Sequence, residues 1–152
     1  FIDADTEIEK AAGYSVREIF DQFGEPYFRQ GERRVIKRIL SEKPAVLATG
    51  GGAYMNLETQ KAITKHGVAI WLRADLDLLV RRTKGRRGRP LLNKGNERDI
   101  LSNLIDERYP IYANAEFIID VSDEPANETA KNIINMLINH NNDYIQQNED
   151  KR

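Results

Sequence analysis

Short apolar runs of strand length alternate along this chain with stretches whose apolar residues recur at helical spacing, and that alternation leaves few folds open. The runs are Phe1-Ile2, Ala45–Ala48, Val68–Leu72 and Glu116–Val121. Between them fall Ile8–Ala12, Val16–Phe23, Glu25–Leu40, Leu57–His66, Asp75–Thr83 and Glu97–Tyr109, each with helical periodicity, and Pro125–Asn139 closes the pattern. Strands separated by helices require right-handed crossovers, so the sheet is mostly parallel and covered on both faces. The predicted fold is an α/β doubly wound parallel sheet with flanking helices. At 152 residues the chain suits a single domain, placed here at residues 1–140. Residues 141–152 are polar and are predicted to be a disordered tail. The opening Phe1-Ile2-Asp3-Ala4-Asp5 reads as the end of a buried strand whose beginning lies upstream.

Local stop and start signals support these boundaries. Gly13 ends the first helix, and Ser15 with Glu18 three residues on has capping-box spacing. Gly67 stops a helix, Asp75 caps the next, and Pro125 suits a first turn. In 25–40 the apolar positions Phe28, Val35, Ile36, Ile39 and Leu40 form one face, opposite Arg29, Arg33, Lys37 and Arg38. In the last helix Ile133, Ile134, Leu137 and Ile138 are expected to face the core.

Ligands of open α/β sheets bind beyond the carboxyl ends of the strands. Asp3, Asp5 and Thr49-Gly50-Gly51-Gly52-Ala53 all fall there. Three glycines after a strand allow a sharp turn and bare N–H groups facing a ligand; the alternative is a simple tight loop. Asp3 and Asp5, two apart on a strand, point the same way and suit a hydrated Mg²⁺ or a substrate hydroxyl, unless Asp5 merely caps the following helix. Arg29 and Glu32 are spaced to pair on one helix face, as a surface ion pair or as an anion clamp that buried Phe28 turns inward. Arg108, beside Tyr109 and Tyr112, offers a second arginine, and two arginines from separate helices can hold one carboxylate in fork geometry. Residues 84–93 carry Lys84, Arg86, Arg87 and Arg89 around Gly85 and Gly88, then Pro90-Leu91-Leu92. That pattern suits a lid closing positive charge over nucleotide phosphates, or alternatively a solvated basic loop.

A formal net charge of −1 supplies no global field for nucleic acid or an anionic membrane, and the basic loop has no interleaved aromatic residue. Zero cysteines exclude disulfides and thiolate metal sites. His66 and His140 are read as surface residues. No apolar run approaches the length of a membrane span, and the expected compartment is the cytoplasm.

The combination of Phe1-Ile2-Asp3-Ala4-Asp5, Phe28-Arg29-x-x-Glu32, Gly50-Gly51-Gly52-Ala53, Arg89-Pro90-Leu91-Leu92 and Glu107-Arg108-x-Pro110-x-Tyr112 resembles shikimate kinase from Phe1 to about Asn139. These are phosphate-loop enzymes of nucleoside-monophosphate-kinase-like fold. The resemblance implies phosphoryl transfer from ATP to the 3-hydroxyl of shikimate, on the way to chorismate and the aromatic amino acids, with Mg²⁺ as cofactor and a monomer as the working form. It further implies that Asp5 orients the attacking hydroxyl and that Asp3 lies near Mg²⁺ through water. Arg29, held by Glu32, and Arg108 would grip the carboxylate. Gly50, Gly51 and Gly52 would contact the ring hydroxyls, and Phe20 and Phe28 would wall the pocket. Arg89 would reach the transferring phosphates and Arg82 would lie against the adenine. The family's Gly-x-x-x-x-Gly-Lys-[Ser/Thr] loop does not occur in this sequence. The fold is therefore expected to be incomplete at its N-terminus, with two strands on each side of a gap. Two other readings are a non-catalytic shikimate-binding remnant and a related small-molecule kinase such as a gluconate kinase.

Overall fold

The computed structural model describes residues 1–84 and 96–149, with the helical backbone alone for 141–149. The chain opens with strand β1 (Ile2–Asp3) and passes directly into helix α1 (Ala4–Ala12). Gly13 ends α1 in the left-handed region at φ 73°, where a side chain would be strained, and donates its N–H to the Glu9 carbonyl. Ser15 then opens α2 (Val16–Leu40) with the predicted reciprocal capping box: its hydroxyl accepts from Glu18 N–H while the Glu18 carboxylate accepts from Ser15 N–H. Inside α2, Gly24 at φ 78° and ψ 171° breaks the helical path. The two helices expected over 16–23 and 25–40 are thus present as the two arms of α2, parted at Gly24.

Strand β2 (Leu47–Ala48) is followed by the glycine run, a 3₁₀ turn (Ala53–Met55) and α3 (Leu57–His66), the last with the boundaries predicted and capped by Asn56. Next come β3 (Ile70–Arg73), α4 (Leu76–Thr83) capped by Asp75, α5 (Glu97–Tyr112), β4 (Phe117–Asp120) and α6 (Ala126–Glu149). The strands are parallel, as expected. They form two pairs: β1 with β2, Asp3 opposite Ala48, and β3 with β4, Ile70 opposite Phe117 through Arg73 opposite Asp120. No ladder joins the pairs among the described residues, which is the arrangement of two strands on each side of a gap.

The main core lies between α1, the two arms of α2 and the first strand pair. Ile8, Ile19, Phe28, Val35 and Ile39 are buried together, with Ile2, Phe20 and Leu47 packed against them. Around the second pair, Leu78 of α4 and Leu101 of α5 are buried, and Trp71 of β3 packs edge-on against Tyr109.

Three expectations need correction. Phe1 is 87% exposed rather than part of a buried strand. The backbone of α6 continues through residues 141–149, where a disordered tail was predicted; the segment contains neither glycine nor proline to stop it. Ile134 and Ile138 are more than half exposed, whereas Ile133 and Leu137 are half-buried on the stripe that carries His140 against Phe117. The helix presents a narrow stripe to its neighbours, and the residues about 100° further round fall outside it. His66 and His140 are both exposed, as read. Apart from Lys84, the lid at 84–93 lies outside the described residues, and so does Arg89.

Candidate functional site

The run Gly50–Gly52 leaves β2 and enters the 3₁₀ turn, with three other elements closing on it. A Cβ built on Gly50 would lie 3.8 Å from Asp5 Oδ1 of α1 and 3.8 Å from Glu32 Oε1 of α2. One on Gly51 would lie 2.8 Å from Tyr112 Oη and 3.3 Å from Arg108 Nη1 of α5. One on Gly52 would fall 2.5 Å from the Arg29 Cζ. Among the described residues the only positive-φ glycines are Gly13 and Gly24, so glycine is not required at 50–52 by a left-handed turn. It is required at 51 and 52 because arginine and tyrosine side chains occupy the space that a methyl group would take. Asp5, Arg29, Glu32, Arg108 and the three glycines, predicted separately, therefore come together.

Arg29 and Glu32 pair on one face of α2, Nη1 donating to Oε2 at 2.8 Å, and this is no surface ion pair, since Glu32 is 2% exposed. Glu25 accepts from the other side of the guanidinium, from Nε and Nη2, both at 3.1 Å. Burial raises the Glu32 carboxyl above its ordinary value against the pull of Arg29, and Asp5 adds to the rise. Burial works against the Arg29 charge, but Glu32 and Glu25 outweigh it and hold the guanidinium protonated. Among the described residues Glu32 Oε1 is buried without a hydrogen-bond partner, and so is Arg108 Nε. Buried polar atoms are normally satisfied, so an orphan acceptor and an orphan donor at one loop mark a place where a ligand with both kinds of group would bind.

Arg108 and Tyr112 stand one turn apart on α5. The Tyr112 hydroxyl donates to the Gly51 carbonyl, and its ring packs against Trp71 at 5.7 Å and Tyr54 at 6.4 Å. Burial pushes its phenol above the ordinary value, with Arg108 and Arg29 opposing. Tyr109 donates to the Ala74 carbonyl and so ties α5 to the end of β3.

Asp3 and Asp5 do not share a strand face. The strand ends at Asp3, whose Oδ1 accepts from Thr6 N–H and caps α1, while Asp5 lies in the first turn of that helix. Asp3, not Asp5, is the cap. Partial desolvation raises the Asp5 carboxyl although the residue stays open to water; Asp3 and Glu9 push it further and Arg29 pulls it back. Among the described residues no group of three or more acidic or histidine side chains gathers to hold a metal. Two neighbouring carboxylates fit a Mg²⁺ that keeps most of its ligands as water and phosphate, not an all-protein cage.

The remaining predicted residues lie further out. Arg82 is exposed at the end of α4 and donates to the Ser122 carbonyl at 2.6 Å, while Arg81 pairs with Asp123 at 2.9 Å, so both reach the loop beyond β4. Phe28 is buried beneath Arg29, with its ring 5.1 Å from the Arg29 Cζ, and Phe20 packs against it at 4.8 Å. Tyr112 and Glu25 were not among the expected site residues. The signal for each was present, as the four-residue spacings Arg108/Tyr112 and Glu25/Arg29 place both pairs on one helix face.

The model of the family described as shikimate kinase matches residues 1–138. The shikimate kinase of Paramagnetospirillum magneticum is 47% identical over 140 residues, covering 92% of this chain and 72% of that protein, and the one from Brucella canis is 49% identical, covering 92% and 70%. The structure of shikimate kinase from Acinetobacter baumannii in complex with shikimate superposes with a TM-score of 0.87 at 32% identity, covering 91% of this chain and 78% of that one. Neither alternative reading, a gluconate kinase or a non-catalytic remnant, is favoured by these comparisons.

Proposed function

This chain belongs to the shikimate kinase family and is an ATP-dependent kinase acting on shikimate, and from that premise we propose that Asp5, Arg29, Arg108 and the Gly50–Gly52 loop form the part of the site that holds shikimate. Arg29, fixed by Glu32 and Glu25, and Arg108 grip the carboxylate from two helices. Asp5 accepts the proton of the attacking 3-hydroxyl. A carboxylate whose affinity for protons is raised by burial and by a like-charged neighbour is a better base than a free one. The three glycines bring backbone groups to the ring hydroxyls, and Phe28 with Phe20 supports the floor beneath Arg29. What carries this reading is the convergence of two arginines and a carboxylate on one glycine loop, with Glu32 Oε1 and Arg108 Nε unpaired among the described residues.

On the nucleotide side, Arg89 is assigned to the transferring phosphates and Arg82 to the adenine. Mg²⁺, when bound, would neutralise charge on the phosphates, and Asp3 would reach it through water. Positioning and charge neutralisation are what phosphoryl transfer requires of a protein. The reading takes residues 1–140 as one kinase domain with a lid at 84–93, working as a cytoplasmic monomer that binds neither nucleic acid nor membrane. No helix of the described residues is long and apolar enough to cross a membrane.

The test is ADP release by the purified protein with ATP and Mg²⁺, with shikimate and gluconate supplied in turn. Turnover with shikimate alone is expected. Turnover with gluconate would overturn the substrate assignment. Shikimate binding without ADP release would favour the non-catalytic reading.

A further inference from the structure

We infer that Tyr112 is a positioning residue for the carboxylate clamp: its hydroxyl holds the Gly51 peptide, and its side chain sets where the Arg108 guanidinium stands relative to the loop. The inference rests on the proposal that Arg29 and Arg108 bind the shikimate carboxylate. It comes from four observations, three about Tyr112 and one about Arg108. The Tyr112 hydroxyl donates to the Gly51 carbonyl, across 61 positions of sequence. That oxygen and Arg108 Nη1 occupy the space beside Gly51 where a Cβ would otherwise project. Among the described residues Arg108 Nε is buried with no hydrogen-bond partner and no carboxylate pairs with its guanidinium, in contrast to Arg29. The Tyr112 ring is wedged among Trp71, Tyr54 and Tyr109, which leaves its hydroxyl little freedom to follow a moving loop.

The two halves of the clamp are therefore held by different means. Arg29 is set by two carboxylates on its own helix, and its relation to Gly52 follows from α2. Arg108 belongs to α5, and the hydrogen bond from α5 to the loop is made by the tyrosine one turn further on. Without the hydroxyl, the Gly51 carbonyl loses its donor. The peptide is then free to rotate, because glycine has no Cβ to restrict it. Arg108 keeps its charge but loses the neighbour that fixes its distance from the loop. Ground-state grip on the substrate suffers, while the affinity for ATP is expected to hold.

The test is a double-mutant cycle with Tyr112→Phe and Arg108→Ala, measuring KM for shikimate, KM for ATP and kcat in the purified enzyme. Phenylalanine keeps the ring packing and removes only the hydroxyl. Tyr112→Phe is expected to raise KM for shikimate about tenfold, the size of one lost hydrogen bond beside a charged group, with KM for ATP unchanged. In the Arg108→Ala background the same substitution is expected to have under twofold effect, because residues acting through one contact are non-additive. A tenfold effect that persists in both backgrounds, or an equal rise in both KM values, would assign Tyr112 a general structural role and overturn the inference. No effect of Tyr112→Phe in an enzyme that Arg108→Ala cripples would overturn it as well. An Arg108→Ala enzyme with normal shikimate KM would instead refute the clamp itself, and the inference with it.

Discussion

Gly52→Ala isolates what the glycine loop does. At Gly52 the backbone sits at φ −74° and ψ −20°, which any residue adopts, so alanine introduces no backbone strain. The only conflict is spatial: the new methyl carbon would lie 2.5 Å from the Arg29 Cζ. Ordinary carbon contacts begin near 3.5 Å, so the guanidinium must withdraw by about 1 Å. A withdrawal of that size is enough to stretch the 2.8 Å bond between Nη1 and Oε2 of Glu32 beyond hydrogen-bonding range. Because the obstacle is the end of a flexible side chain, the fold accommodates the methyl. The loss falls on a charge-assisted bond worth about 1.5–3 kcal/mol. If Arg29 holds the carboxylate from its present position, shikimate KM should rise roughly 10- to 150-fold at unchanged ATP KM. Steady-state kinetics with each substrate varied in turn measure this, and circular dichroism melting checks that the protein stays folded. A Gly52→Ala enzyme with normal shikimate KM, or with both KM values raised together, would refute the placement of Arg29 at the carboxylate.

If Asp5 is the base proposed above it must be ionised to accept a proton, so falling pH should remove activity. Because its carboxyl is raised in the folded protein, the acid limb of kcat/KM should lie above the ordinary value of 3.8. Asp3→Asn removes one of the charges responsible while keeping a good helix cap, so the limb should move to lower pH; a shift upward would contradict the assignment of Asp5 as base. Gly31 lies within α2 with nothing near the position of a Cβ, so Gly31→Ala should stabilise the protein by about 0.5–1 kcal/mol, read as a higher melting temperature by calorimetry. Gly13→Ala, at φ 73°, should lower it. Arg108→Ala should weaken shikimate binding far more than ATP binding in calorimetric titrations, and equal losses would count against the clamp.

What the sequence made legible was local. The capping box of Ser15 and Glu18, the stop at Gly13, the cap at Asp75 and the ends of α3 each depend on residues within one turn of each other, so spacing alone revealed them. The pairing of Arg29 with Glu32 was legible for the same reason. Its depth was not, because burial of Glu32 is decided by how α2 packs, not by its own neighbours. The turnover from strand to helix after Asp3 escaped the alternation pattern, since a two-residue strand carries too few positions to reveal its end. Tyr112 reaches Gly51 across 61 positions, and the space beside Gly52 is filled by a residue 23 positions earlier. Contacts of that range leave no periodic trace. The exposed Ile134 and Ile138 show the same limit in reverse, because apolar spacing marks a stripe but not how wide a neighbour covers it.

The placement of the two arginines on different helices has a thermodynamic consequence. Arg29 travels with α2 and the first strand pair, whereas Arg108 travels with α5, which packs on Trp71 and Ala74. A carboxylate held by both arginines is a cross-link between α2 and α5. Its binding energy is then spent on holding the two helices in register as well as on occupancy. At one hundred times its dissociation constant a ligand adds about 2.7 kcal/mol to the bound form. Here that increment should appear as slowed amide exchange at the seam, in the glycine loop and the last turn of α5, and not as a uniform stiffening of the protein.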